Sequence, residues 1–370
     1  MNNFSIYDSL ILDISFISFF MQLDRFNSLI DDIIKNKISD LHFGTGEYPY
    51  IRNHVGDMSP VVAFGKITEE DVKDIIGYCI PRPFTEQTLD TSYERDKVRF
   101  RVNISRVINS GTTIAMRMIP STIPEPESIG LPKHLLDLTV AEKGIVLITG
   151  PTGSGKSTTM AAMLEHINRN TQKHIITLED PVEFVYENKK SLIHQRELGK
   201  QFDSFPEGIR SILREDPDVI VVWEMRDLDT IRAAVTLAET GHLVFSTLHT
   251  NDTIQTVDRI IQSFPPDEQA QIRMQFSLAL KAVVSQVLLP KADGTGRVVA
   301  REVMLNNDSI RNLIIRGETH HMYSILEISK QDGMILMDDA IIDLFKRKYV
   351  TRSTVEKFLH DKQRLAMLTE

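Results

Sequence analysis

The stretch GPTGSGKST at 150–158 has the spacing G-x-x-x-x-G-K-[ST]. Glycines at those places let backbone N–H groups curl around a phosphate chain, and the lysine and hydroxyl supply the charge and a metal ligand. An apolar run at 145–149 precedes it and MAAMLEHI (160–167) follows it. This context predicts strand, loop, helix, with the loop at a helix N-terminus where the backbone dipole favours anions. Lys156 would reach the β- and γ-phosphates and Ser157 would ligate Mg²⁺, while Gly150, Pro151, Thr152, Gly153, Ser154, Gly155 and Thr158 complete the cradle. The chemistry implied is phosphoryl transfer from ATP with Mg²⁺.

Such a site also needs carboxylates, one to orient or activate water and another for the metal shell. Two β-like runs offer them. ITLEDPVEF (176–184) carries Glu179 and Asp180, and the run that ends in VVWEMRD starts at Asp218 and finishes with Glu224 and Asp227. Asp218 is the outer-shell candidate for the metal. Acids at strand ends are commonly solvated caps, but a phosphate loop in the same α/β unit favours a ligand, since ligands gather at the carboxyl ends of such strands.

GHLVFSTLHTND (241–252) adds His242, Thr247 and His249 around a further buried strand. Two histidines seven apart do not match zinc-ligand spacing on a helix. Each is either an ordinary turn residue or a sensor of the γ-phosphate. Arg99, Arg101 and Arg117 fall on the polar face of two alternating segments. They make either a solvated basic face or arginine fingers that steady transition-state charge.

The elements that must position these groups follow from hydrophobic periodicity. Residues 22–37 predict a helix with Leu23, Phe26, Ile30, Ile33 and Ile34 on one side. Thr68 and Asp71 resemble a capping box, opening a helix that carries Val72, Ile75 and Ile76. VRFRVNIS (98–105) and TTIAMRMI (112–119) alternate as half-buried strands. PSTIPEPESIGLP (120–132) holds four prolines and reads as a stiff linker. Beyond it, uniformly apolar strands alternate with helices, the pattern of a parallel sheet covered on both faces. From about 267 helices predominate around a hairpin that turns at 293–296.

A chain of 370 residues with 42% hydrophobic and 25% charged residues has globular composition and room for two domains. A net charge of −9 counts against nucleic acid as the main partner. Cys79 is the only cysteine, which excludes internal disulfides and cysteine-rich zinc sites and fits a reducing cytoplasm. LILDISFISFF (10–20) is interrupted by Asp13 and follows no basic residue, so it reads as a packing segment rather than a signal or a span. Met21 is an alternative start.

The motif order resembles that of the type II/IV secretion ATPases, and within them the pilus-retraction branch. TGPTGSGKST, LEDPVEF, LREDPDVIVVWEMRD and TGHLVFSTLHT are similar to that family's Walker A, Asp box, Walker B and His box. SDLHF (39–43), RFRVN (99–103), QRELG (195–199) and SIRNLI (309–314) match further family segments, so the resemblance covers roughly 22–350. It implies an α/β chain with a PAS-like α+β domain (22–119), the linker, a RecA-like ATPase core (133–290) and a C-terminal hairpin and helical region (291–370), with 1–21 as an extension. It further implies a homohexamer that binds ATP between the domains. Such a ring would lie at the cytoplasmic face of the inner membrane and drive a pilus platform protein. By motif, Glu179 and Glu224 are the implied catalytic carboxylates, His242 and His249 the His-box residues, and Arg99, Arg101 and Arg117 the arginine fingers.

Two departures stand out. Ile315–Arg316 replaces the Arg–Glu that ends the family's last motif. Trp223, the only tryptophan, stands where the family has Gly before the Walker B Glu. A bulky ring beside a reacting carboxylate either overpacks it or turns into adjacent space. The alternatives are therefore a ring subunit that binds ATP without hydrolysing it, and a pilus-extension or type II secretion ATPase. The latter usually carries an extra domain and four zinc cysteines, which this chain lacks. A nucleic-acid translocase is a third, disfavoured by the acidic balance.

Overall fold

The computed structural model describes residues 23–36, 38–52, 58–80, 82–96, 98–108, 111–119 and 122–367. The expectations for residues 1–21 and for a start at Met21 lie outside them. The chain divides into two compact units, residues 1–122 and 123–370.

In the first unit a helix α1 (23–35) buries Phe26, Ile30 and Ile33. Helix α2 (Glu69–Cys79) opens with the reciprocal Thr68–Asp71 capping box, in which an aspartate replaces the usual glutamate. Both pack on an antiparallel six-stranded sheet in the order β3-β2-β1-β6-β5-β4. The strands are β1 (Asp40–Gly44), β2 (Tyr50–Arg52), β3 (Met58–Pro60), β4 (Thr88–Arg95), β5 (Val98–Val107) and β6 (Gly111–Met118). The alternation read from β5 puts Phe100, Val102 and Ile104 in the core. Arg99 and Arg101 therefore lie on the opposite face, as period-two geometry requires.

The second unit is a seven-stranded sheet in the order β13-β12-β7-β11-β10-β8-β9. Its strands are β7 (Gly144–Thr149), β8 (His174–Glu179), β9 (Leu192–Glu197), β10 (Val219–Val222), β11 (Leu243–Leu248), β12 (Leu280–Pro290) and β13 (Arg297–Leu305). All neighbours are parallel except β12 and β13. On one face lie α3 (Lys133–Leu136) and α4 (Lys156–Asn170), over Val146, Ile148, Val221 and Phe245. On the other lie α5 (Phe205–Ile212), α6 (Leu228–Glu239), α7 (Thr253–Gln262) and α8 (Gln269–Ala279), over Leu147, Ile220, Val222 and Val244. Burial on both faces explains why these strands read as continuous apolar runs. Helices α9 (Asp308–Arg316), α10 (Met322–Ile328), α11 (Met337–Lys346) and α12 (Arg352–Phe358) complete the unit.

Three boundaries differ from the sequence reading. The stretch 120–132 is not linker throughout: Pro126–Ile129 is a 3-10 turn ended by Gly130 at φ 59, and Leu131 is buried with Leu135 in the core beneath α4. Proline presets the φ such a turn needs, and the apolar residues give it something to bury. The hairpin does not begin a separate region either, because β12 pairs with β7 and carries β13 into the same sheet. Strand β9, with the mixed sequence LIHQRE, has no apolar run to betray it. No helix among the described residues is long and apolar enough to cross a membrane.

Candidate active site

The loop 150–158 joins β7 to α4, and its backbone is packed against β12. Gly150 holds φ +138, and a Cβ there would lie 2.3 Å from the Gln286 carbonyl, so only glycine fits. Gly155 takes a left-handed conformation as the residue that enters α4. Lys156 is 7% exposed, and its ammonium donates to the carbonyls of Gly150 (2.8 Å) and Pro151 (3.1 Å). Burial pushes it below the ordinary lysine range, and the charges of Glu224 and Glu183 oppose that.

Two carboxylates stand at the same edge of the sheet in opposite states. Glu179, at the end of β8, is buried, and desolvation raises it to about 7 against hydrogen bonds from Thr177 Oγ1 (2.6 Å) and Gln195 Nε2 (3.0 Å). Gln195 also donates to the Phe184 carbonyl and accepts from the Tyr186 amide, so it fixes both the carboxyl and the loop behind it. For Glu224, burial acts upward, but Arg226 Nε (2.8 Å) and His249 Nε2 (2.8 Å) donate to its two oxygens and hold it below the usual range. The pair thus offers one acid near its midpoint at neutral pH and one fixed carboxylate.

Trp223 leaves this arrangement intact. Its amide continues the ladder to Leu178 at 2.8 Å. Its ring packs on the α4 face and borders a small gap with Ser157, Met160 and Glu179. The ring fills adjacent space instead of displacing Glu224.

Other residues named by sequence are not brought here. Asp218 precedes β10, at the amino edge, where its carboxylate accepts from Lys173 Nζ (2.9 Å) and the His174 amide (2.8 Å). It is a structural cap, and its assignment to a metal shell is withdrawn because a parallel strand separates it from the loop. His242 likewise precedes β11, with Nδ1 3.1 Å from the Leu237 carbonyl. The strand that carries His249 to the site holds His242 away from it. Asp227 caps α6 through Thr230.

Arg99, Arg101 and Arg117 sit in the first unit. Arg99 donates to Ser92, and Arg117 pairs with Asp40 at 2.7 Å. Arg101 stands directly across from Arg117 in the β5–β6 register and is exposed. Like charges facing each other across a sheet are destabilising, and Asp40 on the neighbouring strand offsets the charge of Arg117.

Sequence reasoning missed Gln286 and Arg301, which brace the loop from β12 and β13, more than a hundred positions away. Gln286 accepts from Thr159 Oγ1 (3.0 Å) and donates to the Ser154 carbonyl (2.8 Å). No local motif announces them. A cavity of about 880 Å³ opens beside the loop, with Gly155, Thr158 and Thr159 on one wall and Gly130, Gln286 and Arg301 on others. Its size is that of a small-molecule site.

Comparison with known proteins gives a consistent set of relatives. The family described as Type II/IV secretion system protein matches residues 85–319. A type IV pilus retraction ATPase, PilT of Pseudomonas aeruginosa, is 42% identical over 87% of this chain and 94% of its own length. The type II secretion system ATPase E of Vibrio cholerae is 35% identical over 63% of this chain and 48% of its own. A crystal structure of the pilus retraction motor PilT with bound ADP superposes with TM-score 0.85 at 38% identity, covering 92% of this chain and 99% of that one.

Proposed function

The chain belongs to the type II/IV secretion system protein family as one of its RecA-like ATPases, and from that premise we propose that it is the motor that retracts a type IV pilus. The observation that carries the chemical half of this reading is one edge of one sheet, where loop 150–158, Glu179, Glu224 and His249 meet. The mechanical half is supported by near full-length similarity to a retraction ATPase, against half-length similarity to a type II secretion ATPase.

In this reading Lys156 leaves the loop carbonyls for the β- and γ-phosphates, and the backbone N–H groups of 153–158 take the remaining oxygens. Glu224, ionised and held by Arg226 and His249, orients the attacking water. Glu179, near its midpoint at neutral pH, accepts the proton. The donors near the loop are oxygens, the set a hard cation prefers. Ser157 would hold Mg²⁺, with Glu224 acting through water, and the ion would offset charge on the phosphates. Arg99, Arg101 and Arg117 are the proposed arginine fingers. Six copies would form the working ring, at the cytoplasmic face of the membrane against a pilus platform protein.

The reading of a ring subunit that binds ATP without hydrolysing it rested on Trp223. Its ring packs aside and Glu224 keeps both bonds, which supports turnover. Steady-state ATP hydrolysis by the purified protein, beside Lys156→Ala and Trp223→Gly, tests this directly. Turnover well above the Lys156→Ala background is expected. Background turnover restored by Trp223→Gly would mean that the ring blocks the site. Expression in a host lacking its own retraction ATPase should restore surface motility, and failure there with ATPase activity intact would sink the pilus assignment alone.

A further inference from the structure

Arg301 is a buried cation that forms no ion pair among the described residues. It is 7% exposed, and its hydrogen bonds go to neutral groups: the carbonyls of Gly130 (2.8 Å) and Ile129 (3.1 Å), and Thr159 Oγ1 (3.4 Å). Burial lowers its pKa to about 10, so it stays charged at neutral pH. A buried charge is ordinarily paired with an opposite one. Here the guanidinium instead joins two parts of the second unit that are far apart in sequence. One is the turn at 126–130, just after the chain enters this unit. The other is the first turn of α4, behind the phosphate loop.

Gln286 completes the link. It stands directly opposite Arg301 in the β12–β13 register, is almost fully buried and bonds to Thr159 and to the Ser154 carbonyl. A continuous chain of hydrogen bonds therefore runs from Ser154 through Gln286, Thr159 and Arg301 to Ile129 and Gly130. The same residues wall the cavity beside Thr158, so a nucleotide held by the loop would lie against this chain. The guanidinium thus ties Thr159, in the first turn of α4, to the carbonyls of the 129–130 turn.

We propose that Arg301 is a positioning residue that couples nucleotide occupancy of the loop to the order of the 126–132 segment. With nucleotide bound, α4 and the loop are fixed, Gln286 and Thr159 hold the guanidinium in one place, and the turn is locked. Without it, the loop end of the chain is looser and the turn relaxes more often. The segment affected is the one that leads back along the chain towards the first unit, where a motor needs its nucleotide state to be felt.

This inference rests on the nucleotide reading of the site, and the test separates the two. Hydrogen–deuterium exchange is measured over 123–136 in the full-length protein with and without saturating ADP. The variants are Arg301→Met, Arg301→Lys and Lys156→Ala, and ADP affinity is measured for each by calorimetry. The methionine is close in volume, and replacing a buried charge by an apolar side chain is commonly tolerated. In the natural protein ADP should slow exchange of the segment by about tenfold, the size of an ordinary coupling between sites. Arg301→Met should bind ADP and lose that protection, whereas Arg301→Lys, which keeps the charge and a single donor nitrogen, should retain part of it. Absence of ADP protection in the natural protein, or its survival in Arg301→Met, would overturn the proposal. Absence of ADP binding by the natural protein, with Lys156→Ala indistinguishable from it, would overturn the nucleotide reading instead.

Discussion

Three neighbouring strands of the second unit carry a polar residue at both ends, and the two ends have different fates. Strand β8 runs from His174 to Glu179, β10 lies between Asp218 and Glu224, and β11 lies between His242 and His249. At the amino edge every one of these groups is settled by structural bonds. His174 faces His194 at 3.0 Å, Asp218 holds Lys173 and the His174 amide, and His242 meets a helix carbonyl. At the carboxyl edge Glu224 and His249 bond each other across two strands, and the phosphate loop emerges alongside. Because the strands are parallel, chain direction alone sorts candidates of equal chemical promise into caps and site residues.

The sharpest way to break this comparison is to neutralise one acid at each edge of β10. Glu224→Gln removes the carboxylate that orients water and should lower kcat by on the order of 10³ with ATP affinity little changed. Asp218→Asn should leave kcat within about twofold and cost about 1 kcal/mol of stability, since it weakens two bonds at a half-buried strand start. Comparable losses of turnover in both, measured as steady-state hydrolysis beside thermal unfolding, would mean that the sheet edges do not divide function as described.

A smaller effect, but one with a sign, comes from Glu179. Its carboxyl is raised to about 7 chiefly by burial, so kcat should climb with pH through that value. In Glu179→Gln it should be about 10²-fold lower and flat over the same range. Stability should move the other way. A folded-state pKa above the ordinary 4.5 means the unfolded chain gives up its proton first, so stability falls as pH rises from about 4.5 to about 7. Asp218 opposes it at the amino edge: burial acts upward, but the His174 amide and Lys173 hold it below 3.8. Its contribution is present above that value and fades as pH falls. Melting temperatures should therefore change slope in opposite senses, that of Glu179→Gln between about pH 4.5 and 7 and that of Asp218→Asn below about pH 4.

Much of the site could be read from the chain because its chemistry is local. The glycines, Lys156 and Ser157 sit in nine residues, and Glu179, Glu224 and His249 each close an apolar run. The same locality misled at Asp218 and His242, since membership of a motif does not say which end of a strand a residue occupies. Trp223 could be seen as an anomaly but not resolved, because where its ring goes depends on the space left by Met160 and Leu164 of α4. Gln286 and Arg301 were invisible for a different reason. They matter through cross-strand register and burial, and neither leaves a mark in residue type or spacing. Of the fold, the strands buried on both faces were plain. Strand β9 was not, because an edge strand can be polar, and the inward folding of 126–132 was hidden by its prolines.

The finest division between the two edges falls on the histidines. His249 is half exposed, and its bond to Glu224 is one of two, so His249→Ala should cost only about tenfold in kcat. Its signature should lie in the pH profile. His249 helps hold the Glu224 carboxyl down, and without it burial gains ground, so the acid limb of kcat/KM should move to higher pH. His242→Ala should leave both rate and profile unchanged, because its ring bonds the Leu237 carbonyl in the α6–β11 turn, away from the chemistry. A shift of the acid limb in His242→Ala would show that the amino edge reaches the chemistry through the strand. An unshifted limb in His249→Ala would make that histidine another cap, leaving Arg226 as the group that keeps Glu224 ionised.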